Sequence, residues 1–199
     1  MALAGELGEI WQVKYRAAHQ GPVELGCSRQ FCEWLYDPEQ NGAGALMDYC
    51  CYGAALAATL LGRPEQVSGT TLRTGSKPDL PSEDNAVLVL SYPGALAIAE
   101  ASWTQVGDLT SYQAALYGSE GTVLIDPHGD GAIRLATADQ PQGITLAVPE
   151  QPAHLANASA HFLAAIEDPA LEIHPLCDPR NGRDAQWVLE EGMRSAAGG

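Results

Sequence analysis

The stretch Asn41-Gly42-Ala43-Gly44-Ala45-Leu46-Met47-Asp48-Tyr49-Cys50-Cys51-Tyr52-Gly53-Ala54-Ala55-Leu56-Ala57-Ala58-Thr59-Leu60-Leu61-Gly62-Arg63-Pro64 is the most legible part of this 199-residue chain. It reads as a helix over 45–61, ended by Gly62 as C-cap and by Pro64 just beyond. Residues four apart share a helix face, so the Asp48 carboxyl and the Tyr52 phenol stand side by side near the helix start. A helix start leaves backbone N–H groups unpaired, and Gly42 and Gly44 let a ligand come close to them. A substrate oxygen held there would lie beside a proton donor.

Outward from the helix, Glu9–His19 alternates as a strand. Trp11, Val13 and Tyr15 fall on one side; Ile10, Gln12, Lys14 and Arg16 fall on the other. Residues 27–44 are irregular, with a short helix near Gln30–Leu35. Strands are predicted at Gln66–Thr74, Ala86–Tyr92, Ala95–Trp103, Gln113–Tyr117, Thr122–Ile125, Ala132–Ala136 and Ile144–Val148. Pro93-Gly94 and Gly118-Ser-Glu-Gly121 read as hairpin turns, and Asp126–Gly131 reads as a turn rather than a calcium loop. Two helices follow. His154–Glu167 carries a stripe of Leu155, Phe162 and Ile166; Arg183–Ala197 carries Ala185, Val188, Leu189 and Met193. Short connections favour antiparallel neighbours, so the expected architecture is α+β, a mostly antiparallel sheet with helices packed on one face. Residues 1–199 are expected to form a single domain.

Composition narrows the function classes. With 25 acidic and 10 basic residues the formal charge is −15, which argues against nucleic acid or an anionic membrane as partner. Five cysteines without paired metal spacing fit reduced thiols in a cytoplasmic protein, with Cys50 and Cys51 as packing residues. The start of the chain has no signal-peptide pattern, and the 43–61 helix, which carries Asp48, reads as a core helix rather than a membrane span. The five histidines (His19, His128, His154, His161, His174) lack metal spacing, so no metal site is expected. There is no Gly-x-Gly-x-x-Gly fingerprint, hence no dinucleotide-binding residues are expected in this chain.

Several segments together resemble the C-terminal domain of the Gfo/Idh/MocA oxidoreductases, the family of glucose-fructose oxidoreductase and inositol dehydrogenase. They are Gly5-Glu-Leu-Gly8-Glu-Ile, His19-Gln-Gly21-Pro22, Trp34, Gly42-Ala-Gly-Ala-Leu-Met-Asp48, Asn85–Trp103, Gly118-Ser-Glu-Gly121 and Arg194-Ser-Ala-Ala-Gly-Gly. The resemblance implies an open sheet whose helix-covered face completes an active site and whose other face mediates homo-oligomerisation. It also implies an N-terminal Rossmann domain that binds NAD or NADP and supplies a lysine from a Glu-Lys-Pro motif. No such half is present in these 199 residues, so the Rossmann-domain partner is expected either in trans or as a half lost from a split or truncated reading frame. The family's Asp-x-Gly-x-His or Asp-x-Gly-x-Tyr motif matches Asp48 and Tyr52, with Cys50 standing where the motif has Gly. The Tyr form resembles the branch with glucose-fructose oxidoreductase, xylose dehydrogenases and dihydrodiol dehydrogenases.

The function implied is the substrate-binding half of an NAD(P)-dependent oxidoreductase acting on a sugar, polyol or diol carbinol. Tyr52 and Asp48 are the catalytic candidates. A phenol is protonated at neutral pH and can donate to a carbonyl oxygen, and Asp48 can orient a substrate hydroxyl. Ionised Asp48 would raise the phenol pKa, whereas the family's lysine would lower it. Lys14, Arg16 and Trp34 are the substrate-binding candidates, the two bases from the strand and the indole by stacking. Each has a plainer alternative: a first-turn acid favoured by the helix dipole, a core tyrosine, rim bases and a core tryptophan. The competing function is a non-catalytic module for oligomerisation or for sugar or polyol binding.

Overall fold

The alternation of β1 (Ile10–Ala18) divides the molecule into two sides. Val13 and Ala17 are buried, whereas Arg16 on the other parity is exposed. The computed structural model describes residues 1–107, 111–126, 131–148 and 150–198. Its other strands are β2 (Gln66–Leu72), β3 (Asn85–Ser91), β4 (Leu96–Ser102), β5 (Ser111–Gly118), β6 (Thr122–Ile125), β7 (Ile133–Ala136) and β8 (Ile144–Leu146). These eight strands make one open sheet in the order β2-β3-β4-β1-β5-β6-β7-β8. All neighbours are antiparallel except β1 and β4, which run parallel with Tyr15 opposite Ala99. Part of the turn expected at Asp126–Gly131, residues 127–130, lies outside the described residues.

The helices are α1 (Arg29–Tyr36), α2 (Pro38–Asn41), α3 (Cys51–Leu61), α4 (Ala158–Glu167) and α5 (Pro179–Ala197). A π-helical turn, Leu46–Cys50, leads directly into α3. The π turn and α3 lie over β1 and β4, and α5 packs on β2 and α3. The contact layer is made of small residues. Gly53, Ala54, Ala57 and Ala58 of α3 are buried, as are Ala97, Ala99 and Ala101 of β4. A Cβ at Gly53 would stand 2.6 Å from the Ala99 Cβ and 3.2 Å from the Tyr15 Cβ, so glycine sets how closely the helix meets the sheet. The apolar run Pro38–Leu61 is long enough to cross a membrane by composition. Here its small-residue face packs against the sheet instead.

Among the described residues, the helices that pack on the sheet, α3 and α5, lie on one face, and the opposite face is apolar in part. Val87, Val89, Leu96 and Leu124 are exposed there at 42%, 36%, 43% and 38%. Charged side chains are interspersed among them, and Lys14 lies 5.7 Å from the Tyr117 ring centroid.

Two helices differ from the sequence expectation. A 3-10 turn at Ala153–Leu155 precedes α4, and the Asn157 side chain caps the helix by accepting from the Ala160 N–H at 2.9 Å. The stripe assigned to the core is largely exposed, Phe162 at 67% and Ile166 at 61%, while His161 is the buried residue of α4. Periodicity identifies an apolar stripe, but only the rest of the fold shows whether anything covers it. The last helix begins at Pro179 rather than Arg183, with Asp178 as N-cap accepting from the Arg180 N–H at 2.8 Å. Asp-Pro at N-cap and N1 is a start signal that the hydrophobic spacing alone overlooked.

The close approach of α3 is testable. Gly53→Val is expected to lower stability by about 1–3 kcal/mol through overpacking. Gly182→Ala in α5, where an added Cβ meets nothing within 4 Å, is expected to raise it by about 0.5–1 kcal/mol. Urea denaturation of the two variants measures both.

Candidate functional site

The site is built where the segment before β3 meets the start of the π turn. The Glu83 carboxylate Oε1 accepts the Gly44 N–H at 2.8 Å and the Leu46 N–H at 2.9 Å, and the Glu83 carbonyl accepts the Ala45 N–H at 3.1 Å. Gly44 is needed because a Cβ there would lie 2.1 Å from that carbonyl oxygen. The helix start therefore differs from the sequence reading, since these three N–H groups are already used by the chain and do not await a ligand. A carboxylate at this end also complements the helix dipole.

Next to Glu83, buried Asp84 fixes the ends of two strands. Its carboxylate accepts from the Thr74 N–H at 3.1 Å and the Thr74 hydroxyl at 2.6 Å, and its carbonyl accepts the Trp103 N–H at 2.8 Å. Trp103, fully buried just after β4, then donates its indole Nε1–H to Asp48 Oδ2 at 3.2 Å. Tyr36 of α1 packs on the Trp103 ring with centroids 5.8 Å apart. Burial pushes the Asp48 carboxyl up to about 6, and the Trp103 hydrogen bond opposes that rise.

Tyr52 projects 52% exposed, and its phenol is raised above its ordinary range by burial, then by Cys51 and Asp48. The expected influence of Asp48 on this phenol is thus present, as a contribution smaller than burial. Tyr52 belongs to a continuous aromatic patch. Its ring centroid is 5.9 Å from both Tyr15 and Tyr49, and Tyr49 lies 5.7 Å from Tyr112 and 4.9 Å from His19. The Tyr49 and Tyr112 hydroxyls are hydrogen-bonded at 2.8 Å. His19 Nδ1 accepts the Gly21 N–H at 2.8 Å, so the neutral ring carries its proton on Nε2. Burial, then Lys77, lowers its pKa to about 4, which keeps it neutral at physiological pH.

Cys50 and Cys51 are packed into the start of α3. Cys50, at the motif position usually held by Gly, is fully buried with its thiol directed to the Ala99 carbonyl at 3.5 Å, and the Cys51 thiol donates to the Asp48 carbonyl at 3.2 Å. Among the described residues no group of three or more His, Cys, Asp or Glu could hold a metal ion.

Of the five site candidates, the structure brings together Asp48 and Tyr52. Lys14 and Arg16 lie on the opposite sheet face, because Tyr15 between them points at α3. Trp34 is 44% exposed on α1 and packs on Phe31 at 5.9 Å. The residues that sequence reasoning missed are Tyr15, Tyr49, Tyr112, His19 and Trp103. Tyr15 was placed on the correct strand side, and strand alternation could have selected it over Lys14. Tyr112 and Trp103 carry no local signal, since they are 63 and 55 residues from their partners. A neighbouring groove of about 670 Å³, lined by Cys32, Tyr36, Lys77 and Leu80, adjoins the site through Tyr36, which packs on Trp103, and through Lys77, which acts on His19.

Comparison with known proteins bears on the family and the fold. The GFO/IDH/MocA C-terminal domain family matches residues 1–124. No curated protein matches the sequence. Among solved structures, an inositol dehydrogenase homolog complexed with NAD+ from Azotobacter vinelandii is similar with TM-score 0.74 and 20% identity, over 100% of this chain and 59% of that one. An NAD binding oxidoreductase from Klebsiella pneumoniae gives 0.75 and 19%, over 98% and 59%. Levoglucosan dehydrogenase in complex with NADH and levoglucosan gives 0.76 and 17%, over 98% and 59%. The chain thus spans 59% of the length of each of these three. At these identities the likeness establishes the fold.

The Asp48 environment makes a pH-dependent prediction. Its folded pKa is above the ordinary 3.8, so the stability from its protonated form is complete below about pH 3.8 and lost as pH rises through about 6. Asp48→Asn is therefore expected to stabilise the chain by about 1–2 kcal/mol at pH 8, after allowance for solvent screening, and by nothing at pH 4. Urea melts of both proteins at the two pH values decide it.

Proposed function

The chain belongs to the GFO/IDH/MocA family through its C-terminal domain, and on that premise we propose that residues 1–199 are the substrate-binding half of an NAD(P)-dependent oxidoreductase acting on a sugar, polyol or diol carbinol. The observation that carries the proposal is the pairing of Asp48, oriented by Trp103, with Tyr52 on the helix-covered face. A nicotinamide held by a Rossmann domain outside these residues supplies the hydride. Tyr52, its pKa raised, holds its proton at neutral pH and gives it to the developing alkoxide in carbonyl reduction. Asp48, ionised above about pH 6, accepts a hydrogen bond from a neighbouring substrate hydroxyl and so fixes which carbon faces the hydride. In the oxidative direction Tyr52 needs a nearby cation to lose its proton, which is the role of a lysine on the Rossmann half.

We assign the sheet face opposite α3 and α5 to homo-oligomerisation, since it exposes Val87, Val89, Leu96 and Leu124 together. The cytoplasm is the proposed compartment, in keeping with five free cysteines. One observation favours a second reading, a binding module without turnover. Among the described residues no basic side chain acts on Tyr52, so the phenol has no base-forming partner there.

Reconstitution with a Rossmann domain of the family is expected to give NAD(P)-linked turnover of a cyclic polyol. Tyr52→Phe should lower kcat by about 10²–10⁴-fold with an unchanged urea midpoint. Unaltered turnover in that variant removes Tyr52 from the mechanism, and absence of turnover in the parent favours the binding module. For the sheet face, light scattering is expected to show a dimer or larger, and Val89→Asp should shift it toward monomer.

A further inference from the structure

The groove beside the site brings two thiols together at the start of α1, Cys27 and Cys32. Ser28 is the N-cap of this helix, its side chain accepting from the Phe31 N–H at 3.3 Å. Cys27 is therefore the residue just before the cap, and Cys32 is the fourth residue of the helix. Side chains at these two positions often pack on one another across the first turn, and the usual occupants are apolar. Here both are cysteines. Cys32 Sγ lies 3.8 Å from the Cys27 carbonyl oxygen. The two thiols also interact electrostatically, since Cys27 follows burial among the influences that raise the Cys32 thiol.

Their exposure differs in a way that suits stepwise oxidation. Cys27 is exposed, whereas Cys32 is 8% exposed. An oxidant entering the groove meets Cys27 first, with Cys32 behind it as the thiol that resolves the product. Among the described residues, the other three cysteines are placed differently. Cys50 is directed to the Ala99 carbonyl and Cys51 to the Asp48 carbonyl, and Cys177 lies in the turn before α5.

The groove ties the two thiols to the site. The turn at 21–26, which leads into Cys27, wraps Lys77. The Lys77 ammonium donates to the Gln20 carbonyl at 2.6 Å and to the Glu24 carboxylate. The fit is close, since a Cβ at Gly21 would stand 2.6 Å from Lys77 Nζ. His19, just before that turn, feels the Lys77 charge and packs on Tyr49. At the other end of α1, Tyr36 packs on Trp103, which donates to Asp48. A covalent link from Cys27 to Cys32 makes the turn and the helix one unit, with both of these contacts attached to it.

We propose that Cys27 and Cys32 are a redox-responsive pair, oxidised by a hydroperoxide to an intramolecular disulfide that fixes how the turn at 21–26 and α1 present Lys77 and Tyr36 to the site. With hydrogen peroxide, the Cys27 sulfur attacks one peroxide oxygen and the O–O bond breaks. A sulfenic acid forms on Cys27, and one water leaves with the Cys27 proton. The Cys32 sulfur then attacks the Cys27 sulfur, the S–O bond breaks, and a second water leaves with the Cys32 proton. The two sulfurs together give up two electrons, and the peroxide is reduced to water. A dithiol reductant reverses the bond by thiol–disulfide exchange. The chemistry needs no nicotinamide and stands apart from the oxidoreductase reading.

The test treats the reduced 199-residue chain with an equimolar amount of hydrogen peroxide and counts free thiols in denaturant. Two of the five thiols are expected to be lost, and dithiothreitol should restore them. Arg29 lies between the two cysteines, so trypsin without reductant should leave residues 17–29 joined to residues 30–73. Fragment ions are expected to place the bond on Cys32 rather than on Cys50 or Cys51. Cys27→Ser, at the exposed member, should abolish the link and keep the wild-type urea midpoint. Cys177→Ser should lose the same two thiols as wild type. In ¹⁵N spectra, the His19 amide and Trp103 indole signals should shift on oxidation of wild type and stay in place in peroxide-treated Cys27→Ser. Peroxide that leaves all five thiols free, carries Cys27 on to a sulfinic acid, or joins other cysteines overturns the pair. A Cys27–Cys32 bond that forms without moving the His19 and Trp103 signals overturns its coupling to the site.

Discussion

Glu83 places its carboxylate on the N–H groups of Gly44 and Leu46 while its carbonyl takes that of Ala45, joining the segment before β3 to the start of the π turn. The next residue, Asp84, ties Thr74 and the backbone of Trp103 to the same point. With these two acids in place, the Trp103 indole reaches Asp48, and Asp48 and Tyr52 share the helix-covered face with Tyr15 of β1. Burial raises the Glu83 pKa, and its backbone hydrogen bonds pull it back. A half-buried carboxylate held by backbone donors is an orienting device as well as a cap.

The second constraint is steric. Alanines on β4 and Gly53 on α3 bring the helix close enough for residues at its start to share a surface with Tyr15 of β1. A larger residue in this layer would lift α3 and separate the phenols. The aromatic patch is therefore a product of the small-residue packing beneath it.

Strand alternation sends successive side chains of β1 to opposite faces of the sheet. Lys14 and Arg16 follow Trp11, Val13 and Tyr15 on β1 but face away from them. Tyr15 and the residues of the α3 start thus lie on the helix side, and the bases of β1 and β7 lie on the other, beside Glu100 and Tyr117. A sequence reading that weighed residue type above strand parity chose Lys14 and Arg16, whereas parity puts Tyr15 on the face of Tyr52.

The sequence by itself determined the elements and the fold class. Local propensity and turn chemistry mark the eight strands, the 45–61 helical run and the family motif with Asp48 and Tyr52, because each of these signals is complete within a few residues. The tertiary structure decided what those signals could not contain. The π turn, the occupation of the helix start by Glu83, the exposure of Phe162 and Ile166, and the joining of Tyr49 to Tyr112 and of Asp48 to Trp103 all depend on contacts made across tens of residues. Such contacts arise from how the layers close on one another, and no local pattern of side chains encodes which distant group will arrive.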